Sequence, residues 1–337
     1  MSNYLRIFIP LPVLILLISA CSNDLEVNMP NNSIPVVYGV IDPWADSYML
    51  FISKSVQAET NIYQSVGQPE AFTPDSVQVR MELWNDSVML WYTYFHQVET
   101  VVGPGLFPKG SGLAMKSDRV IPRTGEGDMV DIVFPDFRNL RFFITSPDFQ
   151  TPAYARVEYS GPFPIIKPSF IDQHVKLYGT EPFVVTWGTN KHLTYFDLYF
   201  NIRYSEFSDT TRNSSILFCY TKNIKTITDE YKVIIDPAKF LNAFASGLAM
   251  DTLPCIRRRI LDFDIIVAGG DDNFDNYVDQ ARFDSPVYQK PWTNITNGLG
   301  VIALNYDSKK VGFRFSQESL DSLALGRYTE RFRFVRW

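Results

Sequence analysis

One stretch decides the fold of this chain, the ten residues YFDLYFNIRY at positions 195–204. The side chains of Phe196, Leu198, Phe200 and Ile202 fall on one side of an extended backbone, and tyrosines fall on the other. A period of two is that of a β-strand, whose successive side chains point to opposite faces of a sheet. The stretch therefore predicts a strand that packs its apolar side against a core.

The chain around this stretch continues in the same way. A strand is predicted just before it, at Phe183–Trp187, and we interpret Trp187 as a core side chain rather than a ligand platform. Asp236 followed by Pro237 predicts a helix, because aspartate caps helix N-termini and proline suits the first helical position. A second short helix is predicted from Asp272 to about Arg282. The other strands predicted in this half span 216–221, 231–235, 259–268, 301–305, 311–315 and 328–337.

The first half of the chain shows only strand patterns. Short alternating runs are separated by turn signals, and the stretch 104–127, rich in glycine, proline and lysine, is predicted to be a long loop. Many short strands with turns between them are typical of a β-sandwich. The predicted strands span 35–41, 48–53, 77–83, 88–95, 129–134, 140–145 and 153–159.

Composition and a proline-rich join divide the chain into two domains. With 337 residues, of which 46% are hydrophobic, the chain is long enough for two packed cores. Three prolines fall within 160–168 and predict a connector. We therefore expect a mainly β protein with an N-terminal β-sandwich domain at 35–160, a connector at 161–170 and a C-terminal β-sandwich domain with short helical insertions at 171–337.

The predicted strand 88–95 is unusual because it is apolar on both faces. One interpretation places it at the centre of a sandwich, with its second face covered by the long loop that follows. The other makes it a surface that docks a partner or stacks on a ligand. Aromatic residues are favoured anchors of interfaces. The candidate residues for such a surface are Trp91, Phe95, Tyr288 and Trp292.

The first residues have the pattern of an export signal. Arg6 precedes the apolar run 7–18, and small residues lead directly to Cys21. A short apolar run before a small-residue cut site is typical of a secretory signal peptide, here 1–20, and a cysteine at the cut resembles the bacterial lipobox. We expect Cys21 to carry a covalent lipid and 21–34 to form a linker. The alternatives are an ordinary cleaved signal and, less in keeping with a short run that holds two prolines, a retained transmembrane helix.

Charge excludes one class of partner. The formal net charge is −6, and removal of a signal peptide containing Arg6 makes it −7. Nucleic-acid-binding proteins need clustered lysine and arginine, so no nucleic-acid partner is expected.

Cysteines and carboxylates offer two further candidate sites. Cys219 and Cys255 either pair as a disulfide in an oxidising compartment or stay as separate thiols, and the sequence leaves both open. Alternate oxygen ligands at Asp271, Asn273 and Asp275 give a weak calcium candidate, but the glycine and closing glutamate of a calcium loop are missing. Helix capping by Asp271 or Asp272 explains the same cluster.

The sequence carries no recognised catalytic motif. It has three scattered histidines and lacks a His-Glu-x-x-His helix, a Cys-x-x-Cys pair, a Gly-x-Ser-x-Gly elbow, a phosphate loop and a dinucleotide fingerprint. We therefore expect no enzyme activity, no metal and no cofactor other than the lipid on Cys21.

Two resemblances extend these expectations. Segments 183–187 and 195–204 resemble strands B and C of a fibronectin type III domain, which implies immunoglobulin- or fibronectin-III-like sandwiches. Segment 292–301, WTNITNGLGV, is similar to a Thr-Asn-Ile-x-x-Gly-x-Gly-hydrophobic signature near the end of a Bacteroidota lipoprotein family known as domain of unknown function 4249. The N-terminal cysteine, the strand VVYGVI, the strand pair at 140–159 and the segment FNIRY support the resemblance.

The family resemblance implies an outer-membrane lipoprotein, often encoded beside TonB-dependent transporters, with no assigned activity. Gly298 and Gly300 match its glycines and are expected to serve a turn with positive φ. The segment Leu304-Asn305-Tyr306 departs from the small residues expected after the signature.

Three functions follow from these observations. The first is a non-catalytic accessory subunit of an outer-membrane β-barrel protein such as a TonB-dependent transporter, lipid-anchored at the outer membrane on its extracellular face. The second is a glycan-binding surface lipoprotein, whose aromatic residues stack on sugars. The third is a surface hydrolase that uses scattered carboxylates.

Overall fold

The computed structural model of the protein describes residues 33–55, 73–99, 113–124, 131–133, 137–159, 161–169, 174–178, 182–189, 192–207, 210–225, 228–248, 257–281 and 292–335. Its strands are β1 (Pro35–Ile41), β2 (Met49–Lys54), β3 (Gln78–Asn85), β4 (Val88–Val98), β5 (Leu113–Ser117), β6 (Arg123–Thr124), β7 (Asp131–Ile132), β8 (Asn139–Thr145), β9 (Ala153–Glu158), β10 (Ile165–Lys167), β11 (His174–Val175), β12 (Val184–Gly188), β13 (Tyr195–Phe207), β14 (Thr211–Lys225), β15 (Glu230–Ile234), β16 (Arg257–Gly270), β17 (Ile295–Thr296) and β18 (Leu299–Phe315). Its helices are α1 (Pro237–Gly247), α2 (Asp272–Ala281) and α3 (Gln317–Leu325), followed by a short 3-10 helix at Glu330–Phe332.

One large mixed sheet organises the described residues. Its strand order is β14-β13-β16-β18-β1-β2-β5-β4-β3-β8-β9-β17, and β11 pairs with β18 off this path. Most neighbours are antiparallel, but β1 and β18 are parallel. Two smaller sheets, β10-β12-β15 and β6-β7, complete the strands. The prediction of a mainly β protein is confirmed.

The long strand β18 belongs to both halves of the large sheet. Its residues Leu299–Leu304 pair with β1, and the following residues, up to Phe313, pair with β16. Strands of the two predicted domains therefore share one sheet, and the residues Ser33–Trp337 group into one compact unit.

The alternation predicted for 195–204 is present in the structure. Phe196, Leu198, Phe200 and Ile202 of β13 are fully buried. The small sheet that contains β12 faces them, since the ring of Trp187 lies 5.9 Å from that of Phe196. Trp187 is fully buried, as expected for a core side chain.

Two of the helices close the core beside these strands. Asp236 caps α1 by accepting a hydrogen bond from the backbone of Lys239, and Pro237 occupies the first turn, as predicted. The ring of Phe240 then lies 4.9 Å from that of Phe200. Helix α2 packs against β18, and its Tyr277 lies edge-on to Tyr38 of β1 at 6.4 Å.

The end of the chain differs from its prediction. Residues 328–337 were expected to form a strand, but α3 and the 3-10 helix occupy 317–325 and 330–332, with only an isolated bridge at Phe334. Residues 328–335 cannot stay extended, because the N–H groups of Thr329 and Glu330 bond to the carbonyl of Gly326 and Arg333 has a left-handed φ of +57°. The Ser316 hydroxyl separately starts α3 by capping the backbone N–H of Ser319. The predicted strands 301–305 and 311–315 are parts of the single strand β18.

Candidate interaction face

The strongest candidate site is the outer face of the sheet in the first half of the chain. Along β3, Val79, Met81 and Leu83 point into the core, so the residues between them point outward. Neighbouring strands follow the same alternation. We call this surface the aromatic–arginine face and define it by Arg80, Glu82, Trp84, Tyr92, Tyr94, Arg141, Phe143 and Tyr154.

One cross-strand row of this face places a guanidinium between aromatic rings. Arg80 lies opposite Tyr94 on one side and Phe143 on the other, and Phe143 lies opposite Tyr154. The Arg80 guanidinium is 5.0 Å from the centroid of the Phe143 ring, and the Phe143 and Tyr154 centroids are 5.3 Å apart. These distances are those of cation–π and aromatic contacts.

A buried carboxylate joins this row to a second one. Glu82 is 3% exposed, accepts a 2.7 Å hydrogen bond from Nε1 of Trp84 and lies 2.7 Å from Nη2 of Arg80. The guanidinium of Arg141 stacks 3.9 Å above the Trp84 ring. The face is therefore ordered by its own contacts before any partner arrives.

Two tyrosines of this ordered surface are partly exposed to solvent. Tyr92 and Tyr94 on β4 are 41% and 48% exposed, and their rings meet edge-on at 5.7 Å. Val88 and Met89, at the start of the same strand, are also exposed. Tyrosine presents a large, rigid, amphipathic ring at low cost in side-chain entropy, which suits it to binding surfaces.

The structure corrects the choice of residues on this strand. Phe95 is 6% exposed and belongs to the core, and Trp91 is partly buried against the same core. Phe95 and Trp91 thus face the core, while Tyr92 and Tyr94 occupy the accessible face. Trp292 is 41% exposed just before β17, and Tyr288 lies outside the described residues.

Of the three cysteines in the predicted lipid and disulfide sites, the described residues include Cys219. Cys21 and Cys255 lie outside the described residues, so lipidation and the pairing of Cys255 with Cys219 stay predictions. Cys219 lies on β14, where its sulfur is 3.3 Å from the carbonyl oxygen of Thr221. Burial is the main cause that raises the pKa of the Cys219 thiol, so the less reactive protonated form is favoured.

The acidic cluster after β16 caps a helix. Oδ1 of Asp271 accepts hydrogen bonds from the backbone N–H groups of Phe274, at 2.8 Å, and Leu304, at 3.1 Å. Its Oδ2 accepts one from Nδ2 of Asn273 at 2.5 Å, and Asp275 forms an ion pair with Lys225. Burial raises the pKa of Asp271 to about 7, against the effect of the hydrogen bonds that it accepts. Among the described residues, no group of three or more His, Cys, Asp or Glu side chains is arranged to hold a metal ion.

Segment 292–301 contains β17, the strand that ends the large sheet beside β9. The side-chain amide of Asn294 donates to the carbonyl of Ile302 at 2.7 Å and accepts from its N–H at 3.0 Å, so it acts like a short strand beside β18. Asn297 and Gly300 have φ values of +59° and +101°. The positive φ expected at Gly300 is confirmed, whereas the positive φ expected at Gly298 is wrong. At Gly298 the constraint is space, because a Cβ there would lie 2.7 Å from Ile295.

The second half of the sheet carries a different outer face. On it, the carboxylate of Asp264 is fully buried and receives both Nη atoms of Arg203, at 2.7 and 2.8 Å. The N–H of Gly312 donates to it at 3.2 Å, and Lys309 lies at 3.3 Å. Burial raises the pKa of Asp264, but the bonds from Arg203 and Gly312 outweigh it and lower the pKa. We call Arg203, Asp262, Asp264 and Lys309 the Asp264 cluster.

Comparisons with known proteins leave this geometry as the main evidence about function. No protein-family model matches the chain, and no curated protein matches it. Of the helices within the described ranges, none combines the length and apolar character needed to cross a membrane.

Proposed function

We propose that the protein is an envelope lipoprotein that acts as a non-catalytic binding subunit of an outer-membrane β-barrel protein such as a TonB-dependent transporter. In this proposal a lipid on Cys21 anchors the chain at the outer membrane, with its β-rich part on the extracellular face. Two acyl chains or more make such an anchor stable. The aromatic–arginine face is the surface that docks on the partner.

The observation that supports this proposal most is the composition and order of that face. Tyrosine, tryptophan and arginine are the residue types enriched at interface centres. Here they are combined with fixed rotamers, because Glu82 holds Trp84 and Arg80, and Arg141 stacks on Trp84. A surface that is already ordered loses less side-chain entropy on binding.

The proposal also includes the finer fold and family assignments. We propose that 35–160 and 171–337 are β-sandwich domains of immunoglobulin or fibronectin-III type that share β18, and that the chain belongs to the lipoprotein family known as domain of unknown function 4249. The facing of β12 and β13 through Trp187 and Phe196 favours the first assignment. The geometry of Asn294 and Gly300 gives the family signature a structural role and favours the second.

A pull-down from native membranes in mild detergent tests the docking surface. Tagged full-length protein is expected to recover a β-barrel protein in a one-to-one ratio. The double variant Tyr92→Ser/Tyr94→Ser is expected to reduce recovery at least about tenfold, since interface anchors cost about 2 kcal/mol or more each. Because both rings are about half exposed, the substitutions remove part of their packing, and the free energy of unfolding should fall by about 1–2 kcal/mol while the protein stays folded.

The matched control is Leu325→Ser, which removes a more exposed apolar side chain, 62% exposed, at the end of α3. It should leave recovery unchanged. Equal recovery with the tyrosine variant would remove the docking role from this face. Binding on a glycan array in the absence of any β-barrel protein, lost in the same variant, would assign the exposed tyrosines to sugar stacking.

A further inference from the structure

The large sheet ends at β14, which is an edge strand among the described residues. β14 pairs with β13 alone, and among the described residues no strand lies on its other side. From Thr211 to Cys219 the register with β13 is unbroken, and a shift first occurs beyond Cys219. In an antiparallel strand every second residue directs its N–H and C=O groups away from its neighbour. A regular edge therefore presents a row of backbone donors and acceptors.

Between Thr211 and Cys219 this edge lacks the features that usually protect such strands, and the register shifts of β14 fall only within 219–224. Natural edge strands are short, or carry proline, inward charges or a bulge. The stretch TRNSSILFC at 211–219 has no proline and no glycine, and its single charge, Arg212, lies at one end. Leu217, within this stretch, is 61% exposed on the outer face. Phe218 is buried on the other face, where its ring lies 5.3 Å from that of Phe240, so α1 packs on the core side of β14.

The charges of β14 indicate what kind of strand fits. Arg212, Lys222 and Lys225 are all basic, and the strand contains no acidic residue, although the whole chain is acidic. A second copy paired antiparallel about Leu217 would bring Arg212 of one copy and Lys222 of the other to the same end of the strand pair. Like charges opposite each other destabilise a strand pair, whereas opposite charges stabilise it.

We propose that the outer edge of β14 binds an extended segment of another protein by strand addition, and that this segment has an alternating apolar centre with an acidic residue at each end. Backbone hydrogen bonds provide the affinity, while Leu217 and the two end charges provide the selectivity. The acidic residues lie opposite Arg212 and Lys222. This site is separate from the aromatic–arginine face and does not depend on the function proposed for it.

Synthetic peptides provide the test with the full mature chain. The probe is a fluorescein-labelled peptide as long as the stretch Arg212–Lys222, with alternating threonine and valine and an aspartate at each end. Its control carries lysine at each end. We expect the aspartate peptide to bind in a fluorescence anisotropy titration and the lysine peptide to bind roughly tenfold more weakly, because two attractive end pairs become repulsive. Amide hydrogen exchange within 211–219 should slow only with the aspartate peptide.

Variants locate the site. Leu217→Lys places a charge on the edge and should abolish peptide binding, whereas Leu325→Lys, equally exposed on α3, should not. The tyrosine variant of the aromatic–arginine face should bind the peptide normally, which keeps the two surfaces distinguishable. Equal affinity for both peptides, or no binding and no protection at 211–219, would overturn the proposal. So would a wild-type dimer in sedimentation that Leu217→Lys dissociates, since the occupant would then be a second copy.

Discussion

The two halves of the large sheet direct polar and aromatic side chains outward from the same alternating pattern, yet the resulting faces differ. In the second half, the Asp264 carboxylate is fully buried and accepts hydrogen bonds from Arg203 and Gly312. In the first half, Glu82 organises its neighbours, but Tyr92 and Tyr94 remain about half exposed. A closed network of charges stabilises a fold, whereas an ordered surface with accessible rings retains the capacity to bind.

The comparison would fail if the Asp264 cluster were dispensable for stability. Arg203→Met removes the guanidinium and leaves the Asp264 carboxylate buried, and we expect a loss of about 3 kcal/mol in the free energy of unfolding. Urea denaturation followed by tryptophan fluorescence measures it.

The control for this variant is Asp262→Asn, which removes the other carboxylate that contacts Arg203. Its side chain is 30% exposed, so the expected loss is below about 1 kcal/mol. Losses of similar size for both substitutions would mean that burial of Asp264 has no special role.

Two glycines on β18 sharpen the comparison, because one lies in each half. Gly300 and Gly312 both have positive φ. A Cβ at Gly300 would lie 2.0 Å from the carbonyl oxygen of Val37, whereas one at Gly312 would meet nothing within 4 Å. We expect Gly300→Ala to cost about 3 kcal/mol or more and Gly312→Ala about 1 kcal/mol, the strain alone. Thermal unfolding of both variants tests the difference, and equal shifts in Tm would contradict it.

An effect that depends on pH is expected where the halves meet, at Asp271, which accepts a hydrogen bond from Leu304 on β18. Its pKa is about 7 in the folded protein against an ordinary value of 3.8. The folded state therefore holds a proton that the unfolded state has lost between about pH 4 and pH 7, and this contribution to stability falls as pH rises through that range.

Asp271→Asn keeps an oxygen acceptor and removes the titration. The Tm of wild type relative to this variant should decrease from pH 4 to pH 7 and level off above it. Parallel Tm profiles of the two proteins would show that Asp271 does not titrate in this range.

Local sequence patterns account for much of this fold. The apolar side of 195–204, the core position of Trp187 and the start of α1 at Asp236 all depend on neighbours in sequence, and all were predicted. Helix α3 was not predicted, although Ser316 caps its N-terminus. The strand predicted at 328–337 is wrong, because its alternation of apolar and charged residues belongs to a 3-10 helix and the packed segment around it. Alternation alone does not distinguish a strand from a packed terminal segment.

The candidate face was harder to predict, because it depends on strand register. The sequence identified strand 88–95 as apolar on both sides, but which side faces the core is decided by pairing with β3 and β5. Arg80 and Arg141 join Tyr94 and Trp84 only through cross-strand pairing, so no local signal connects them. The role of Asn294 likewise requires knowing that Ile302 lies beside it.

The parallel pairing of β1 with β18 also constrains how the molecule can form. Along the described chain, β1 is the first strand of the large sheet and β18 is the last. Their hydrogen bonds therefore join segments that are far apart in sequence. Such distant contacts close large loops and slow folding. Until residues 299–304 have been synthesised, β1 has β2 as its only neighbour in the sheet. The sheet then lacks a strand at its centre rather than at its edge. A polypeptide of this topology acquires its native sheet in a late, concerted step, after synthesis of nearly its whole length.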